Sequence, residues 1–189
     1  MPVTATPSLV GLNDDEQASD RPLLQFLRFS LGADAYAVRI EMVREILEVT
    51  QMTPLPLMPN FVRGVMNLRG AVVPVVDLAA RMGLHATEIG RRSCIIMVDM
   101  ALPDGLGHQS LGVLVDAVHE VFDVEEGAQE PVPRMGTKID AAFIACMVRA
   151  HGQVLPALDF EHVLAQQALA QLIAEHLGKG ADHAVVAAV

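Results

Sequence analysis

The chain has 189 residues, a formal net charge of −10, and a hydrophobic fraction of 52% with one Tyr and no Trp. That charge argues against a nucleic-acid partner, which needs a basic face, and equally against an anionic membrane surface. The length allows one domain or two small lobes, with an aliphatic core large enough to fold without metal or disulfide.

Cys94 and Cys146 lie in the apolar, strand-like runs CIIMV and FIACMV and read as buried, inert thiols. No basic region followed by an apolar run opens the chain, and no stretch approaches the ~18 apolar residues of a membrane span. The expectation is a cytoplasmic protein with no direct membrane insertion.

Residues 1–21 mix Pro, Thr and Ser with the acidic cluster Asp14-Asp15-Glu16 and read as a flexible tail. Leu23 to Leu31 alternates in part and reads as a first strand. Gly32-Ala33-Asp34 turns the chain into a strand at Tyr36–Arg39. Val43, Ile46 and Leu47 then recur at helical spacing, so Ile40 to Leu47 reads as a short helix. Pro54, Pro56 and Pro59 impose an extended connector.

Gly64 to Leu78, GVMNLRGAVVPVVDL, is the centre of the pattern. Two apolar, β-branched runs split by Asn and Gly predict a hairpin, with Gly64 and Gly70 as structural turn residues and Arg69 at the bend. Pro74 lacks an N–H, which predicts an edge strand or a bulge. Asp77 precedes a helical turn over Leu78–Met82 and reads as its N-cap.

Cys94 to Met100 reads as a strand buried on both faces, Leu102 to Gln109 as a flexible hairpin tip, and Leu111 to Val115 as the returning strand. Ala117 to Val121 reads as a second helical turn. Pro131-Val132-Pro133 is a second connector, followed by strands Phe143–Arg149 and Val154–Leu158, with Asp159 as another N-cap. Residues 161–178 read as an amphipathic helix carrying Ala165, Leu169, Leu172, Ile173 and Leu177 on one stripe, and 179–189 read as a frayed end.

The chain repeats itself. Gly70–Leu78 and Gly152–Phe160 share four of nine residues at an offset of 82. Tyr36–Leu47 aligns with Leu111–Phe122 at an offset of 75, matching Val38 with Val113, Ile40 with Val115, Val43 with Val118 and Glu45 with Glu120. Two related β-rich halves follow, near 36–78 and 111–160 within a body of 22–164.

No catalytic constellation emerges. The seven histidines show no metal-ligand spacing, and none of the five serines lies in a GxSxG elbow. Gly105-Leu106-Gly107 lacks the rest of a phosphate loop. Glu45 and Arg69 are left, either as a surface ion pair or as part of a partner-binding face. Glu120, the counterpart of Glu45, finds no Arg at the matching bend, where Arg149-Ala150-His151-Gly152 stands.

YAVRIEMVREIL, TPLPLMPNFVRGVMNLRGAVVPVVDL, LGVLVDAVHEVFDV and VLPALDF, in this order, resemble the CheW family of bacterial chemotaxis adaptors over about Leu23 to Leu164. The resemblance implies a mainly β fold of two packed five-stranded barrels, OB- or SH3-like, with short helices and no catalytic activity or cofactor. It implies a scaffold coupling chemoreceptor cytoplasmic tips to the regulatory domain of the histidine kinase CheA.

Carried over by position, Glu45 and Arg69 fall on the family's charged pair, with Asn67 and Gly70 shaping the turn. Val38, Ile40, Val43, Leu111, Val113 and Val115 are candidates for groove contacts, or else plain barrel core. The C-terminal helix and the leading tail depart from the family pattern and leave room for weak self-association. The alternatives are an adaptor of another chemosensory pathway, such as surface motility, and an OB-like nucleic-acid module. The last would need stacking aromatics and a basic groove, which this composition lacks.

Overall fold

The computed structural model describes residues 22–101, 107–133 and 136–165. The proposed N-terminal tail, the tip at 102–106, and the helix and fraying end beyond 165 lie outside them. Within them are ten strands. They are β1 (Leu23–Leu31), β2 (Asp34–Arg39), β3 (Glu45–Glu48), β4 (Val62–Leu68), β5 (Ala71–Asp77), β6 (Cys94–Ala101), β7 (His108–Val115), β8 (Ala117–Glu125), β9 (Ile144–Ala150) and β10 (Gln153–Leu158). Two single helical turns, α1 (Leu78–Arg81) and α2 (Phe160–Val163), complete the fold with two short 3₁₀ turns.

The strands form two five-stranded curled sheets, ordered β8-β1-β2-β10-β9 and β3-β6-β7-β5-β4. The repeat seen in sequence maps β1–β5 onto β6–β10, and the two sheet orders correspond strand for strand under that mapping. Yet neither sheet is one copy of the repeat. The second sheet is continuous in sequence from β3 to β7, while β1 and β2 join β8, β9 and β10 around it to make the first. The chain crosses between sheets through the 3₁₀ turn Ile40–Met42 and again at Asp116. Each sheet is closed at its centre by one parallel pairing, β2 with β10 and β5 with β7.

Strand alternation sorts the side chains into three cores. Phe26, Ala37, Val148 and Leu155 fill the curl of the first sheet. Met66, Val73, Val75, Ile95, Met97 and Leu114 fill the second. The opposite faces of both sheets meet in the largest core, which holds Phe29, Tyr36, Ile96, Val98 and Phe160. β6 is buried on both sides because Ile95 and Met97 face its own curl while Ile96 and Val98 face the other sheet. Arg81 on α1 ties the halves together, lying over the rings of Phe61 and Phe143 at 5.8 and 5.2 Å.

Three expectations need correction. Ile40–Leu47 is not a helix: after one 3₁₀ turn, Glu45–Glu48 pairs with β6, Ile46 opposite Ile96. Ala117–Val121 is likewise strand, the start of β8, paired with β1 across a bulge between Leu27 and Phe29. A helix this short pays nucleation for few hydrogen bonds, and a sheet edge offers more.

Of the two places expected for Pro74 the edge is wrong, since β5 lies between β7 and β4, while the β4–β5 ladder does carry an irregularity, on β4 between Val62 and Gly64. Val65, the partner of Pro74, sends both backbone bonds outward to Thr53, so Pro74 owes β4 no N–H. Pro156 repeats this arrangement opposite Met147, which bonds outward to Glu130. Of the helix expected over 161–178, the described residues show one turn, α2, which ends at Val163 with Leu164 as its C-cap.

Candidate functional site

The β4–β5 bend places the charged pair. Arg69 (φ 52°) and Gly70 (φ 89°) both adopt left-handed backbone, which turns a two-residue hairpin in the sense that matches strand twist. Asn67 Oδ1 accepts the Gly70 N–H at 2.9 Å and fixes the bend. Gly64 is not a turn residue as expected: it lies inside β4, the strand leading into the bend, and is required for a different reason. With φ 132°, a Cβ there would run into the backbone of Thr53.

Arg69 reaches Glu45 on β3, Nη2 to Oε2 at 3.0 Å. Glu45 is mostly covered, with 22% of its side chain exposed, whereas Arg69 is 74% exposed. The carboxylate therefore holds one terminal nitrogen of a guanidinium on a side chain that is mostly exposed. Beside them runs a groove of about 570 Å³, lined by Arg44, Leu68, Arg69, Val72, His108 and Ser110. Val72 is 69% exposed and Ile46, next to Glu45, is 42% exposed.

Arg44 lies within hydrogen-bond reach of both Asp99 oxygens at 3.2 Å, and Ser110 donates to Asp99 Oδ1 at 2.7 Å. The Ser110 bond first, then Arg44, hold the Asp99 carboxyl below its usual value.

The apolar candidates are not on this surface. Val38, Val113 and Val115 are fully buried and Leu111 nearly so, all in the core between the sheets. Ile40 and Val43 are half-buried and pack against that same core. Alternation explains it: the residues of β2 and β7 that carry the repeat's apolar signature face the opposite sheet. They are core as placed, not groove contacts. Ile46, Val72, Val121 and Val154 are among the exposed large apolar side chains, with Leu23, Leu57 and Ile89. The repeat alignment pairs Ile46 with Val121 and Val72 with Val154, which was the one available sequence signal for them.

Glu120 also has partners that the bend motif did not reveal. Arg28 Nη1 lies 3.2 Å and His151 Nε2 3.3 Å from its Oε1. The Arg28 hydrogen bond, aided by the nearby His151 and His119, holds the Glu120 carboxyl below its usual value.

Asp77 and Asp159 both cap helical turns, accepting the N–H of Ala80 at 3.1 Å and of His162 at 3.0 Å. Asp77 is wholly buried, and it also takes two bonds from Thr87 and lies 3.6 Å from Arg63. Its valences are committed to structure. Cys94 and Cys146 are free and half-buried, and burial pushes the Cys146 thiol up. Among the described residues, no group of three or more His, Cys, Asp or Glu is placed to hold a metal ion, and no helix is long and apolar enough to cross a membrane.

Comparison with known proteins agrees on one family. The model of the CheW-like domain matches residues 25–168. Chemotaxis protein CheW of Rhizobium meliloti is 32% identical over 139 residues, 74% of this chain and 86% of that protein. Protein FrzA of Myxococcus xanthus is 30% identical over 149 residues, 78% of this chain and 89% of that one. The crystal structure of the scaffolding protein TtCheW from Thermoanaerobacter tengcongensis superimposes with a TM-score of 0.65 at 33% identity, covering 73% of this chain and 90% of that chain. With two five-stranded sheets, an Asn-Leu-Arg-Gly bend and a domain match across most of its length, this chain belongs to the CheW-like family of chemotaxis scaffold proteins.

Proposed function

We propose that this protein is a non-catalytic cytoplasmic scaffold that couples chemoreceptor cytoplasmic tips to the regulatory domain of the histidine kinase CheA. In this reading the bend carrying Arg69 is one of its docking surfaces. The observation that carries this is the exposed guanidinium of Arg69, seated on Glu45 beside the apolar Val72. An isolated exposed ion pair contributes only about 0–1 kcal/mol to stability. Once a partner covers such a pair, truncating one member costs about 2–5 kcal/mol, much of it the penalty of the charge left unpaired. Membership in the CheW-like family supports the same reading.

A contact of standard size covers about 800 Å² on each partner. Linked contacts of this kind gain strength through effective concentration rather than through any single strong bond.

Arg69→Ala tests it. The variant is expected to keep its fold, because the side chain is mostly solvated, and to lose on the order of tenfold in co-sedimentation with receptor and kinase. Undiminished co-sedimentation by a folded variant would overturn the assignment.

The similarity to FrzA favours a second reading, an adaptor of another chemosensory pathway. Co-sedimentation against each chemoreceptor of the host separates the two, since each pathway requires binding to its own receptor class.

A further inference from the structure

The loop between α1 and β6 carries two uncommitted cations, Arg91 and Arg92, both exposed. Every other described Arg or Lys is held by a carboxylate or, for Arg81, by two aromatic rings. Arg91 and Arg92 have neither kind of partner among the described residues, in a chain whose net charge is −10.

A tight turn sets their backbone. The Gly90 N–H donates to Ser93 Oγ at 2.8 Å and the Ser93 N–H to the Gly90 carbonyl at 3.2 Å, which leaves Arg91 and Arg92 at the tip. Both line a groove of about 310 Å³ with Gly32, Glu88 and Asp116. Asp116 is engaged within the fold, accepting the Gly32 N–H and facing His85 at 3.7 Å. Glu88 then stands against two arginines, an excess of one positive charge. Ile89, between Glu88 and Gly90, is 48% exposed and adds an apolar group beside the cations.

The chain itself holds the matching chemistry. Asp14-Asp15-Glu16 is its only run of three consecutive acids, and Leu9, Val10 and Leu12 stand just before it. Apolar residues followed by acids answer Ile89 followed by Arg91 and Arg92.

Reach decides which copy supplies the segment. The described residues start at Pro22, at the opposite end of β1 from Gly32. β1 and the step into Gly32 rise about 30 Å. Asp14 to Glu16 stand six to eight residues before Pro22, about 20–29 Å of fully extended chain. Their own groove lies beyond that span, whereas the groove of a second copy is under no such limit.

We propose that residues 9–16 of one copy dock in the Arg91–Arg92 groove of a second copy, and that the exchange is reciprocal. A reciprocal contact closes a twofold dimer in which each copy gives one segment and one groove. The two contacts, weak singly, act together once the first is made. The Arg69 bend takes no part and stays open to other partners.

Sedimentation equilibrium of the purified full chain at pH 7 tests this. The parent chain is expected to dimerise reversibly, and less tightly as salt is raised. Arg91→Glu with Arg92→Glu should weaken dimerisation at least about fivefold, the loss of one partly exposed ion pair. Asp14→Asn, Asp15→Asn and Glu16→Gln together should do likewise, and Arg69→Ala should dimerise as the parent does. Melting curves matching the parent's confirm the fold of each variant.

Mixing the two charge variants is decisive. One keeps the segment and the other keeps the groove. The mixture should therefore pair one to one, more tightly than either variant alone and less tightly than the parent.

A parent chain that stays monomeric into the millimolar range, or a mixture that does not pair, would overturn the proposal. Weakening by the arginine variant but not by the acidic one would also overturn it, and would assign the groove to another acidic face of the second copy.

Discussion

At the residue scale, the two bends show how one position sets the character of a surface. Arg69 and His151 share a backbone conformation and an acidic partner, but the first presents a long, forked guanidinium and the second a compact ring. The carboxylates give a further expectation. Asp99, held by Ser110 and Arg44, and Glu120, held by Arg28, both lie below their usual values in the folded protein.

A depressed carboxylate stabilises the fold above its unfolded value, and that contribution is lost as pH falls through the folded one. The window therefore lies below about pH 4, the ordinary carboxylate range. In urea denaturation, the midpoint should fall between pH 6 and pH 3. The double variant Asp99→Asn, Glu120→Gln should lose less over that interval than the parent chain. Both groups are well solvated, so the difference should be small; equal losses would show that these pairs add nothing to stability.

At the element scale, the β4–β5 hairpin contains two glycines with different duties. Gly70 has a left-handed backbone but open space around its missing Cβ, while Gly64 has both an unusual φ and a neighbouring carbonyl in the way. Gly70→Ala should cost about 1–2 kcal/mol, and Gly64→Ala at least about 2–3 kcal/mol, because backbone must move. Urea midpoints of the two variants check the ranking, and a reversed order would mean that β4 relaxes away from Thr53.

The bend of this hairpin was legible in sequence because its turn chemistry is local: Asn67 and Gly70 state it whatever surrounds it, whereas the place of Pro74 inside the sheet depends on β7. β3 and β8 were not legible. Val43, Ile46 and Leu47 carry a helical period, and only the open flank of β6, distant in sequence, makes Glu45–Glu48 a strand. The mistake recurs at Ala117–Val121 because the repeat reproduces the same local pattern beside β1. The buried valines were ambiguous for a related reason. Alternation tells which residues share a face of β2 or β7, but not whether that face meets water, a partner or the other sheet.

At the scale of the whole molecule, the repeat announced two related halves, and the structure distributes those halves over both sheets. Which strand of a copy joins which sheet depends on long-range pairing, and no local residue encodes it. The continuous sheet β3–β7 still depends on the other. Ile96, Val98, Met100, Val113 and Val115 on its outer face are buried in the core it shares with the first sheet. A fragment spanning 44–116 should therefore expose that face, bind a hydrophobic dye and melt without a sharp transition. A sharp, dye-free melt by circular dichroism would show that this sheet is an autonomous unit.

The insertion of one sheet within the other also dictates an order of events during synthesis. By the time Val115 has left the ribosome, every strand of the second sheet is available, while β1 and β2 still lack β8, β9 and β10. The parallel flank of β2 waits for Ala157, one of the last strand residues translated. The nascent chain thus passes through a stage with one finished sheet and one orphaned hairpin whose Phe26 and Ala37 have nothing yet to curl around. Slowing translation between residues 116 and 158 should lengthen exposure of that hairpin and hand it to chaperones.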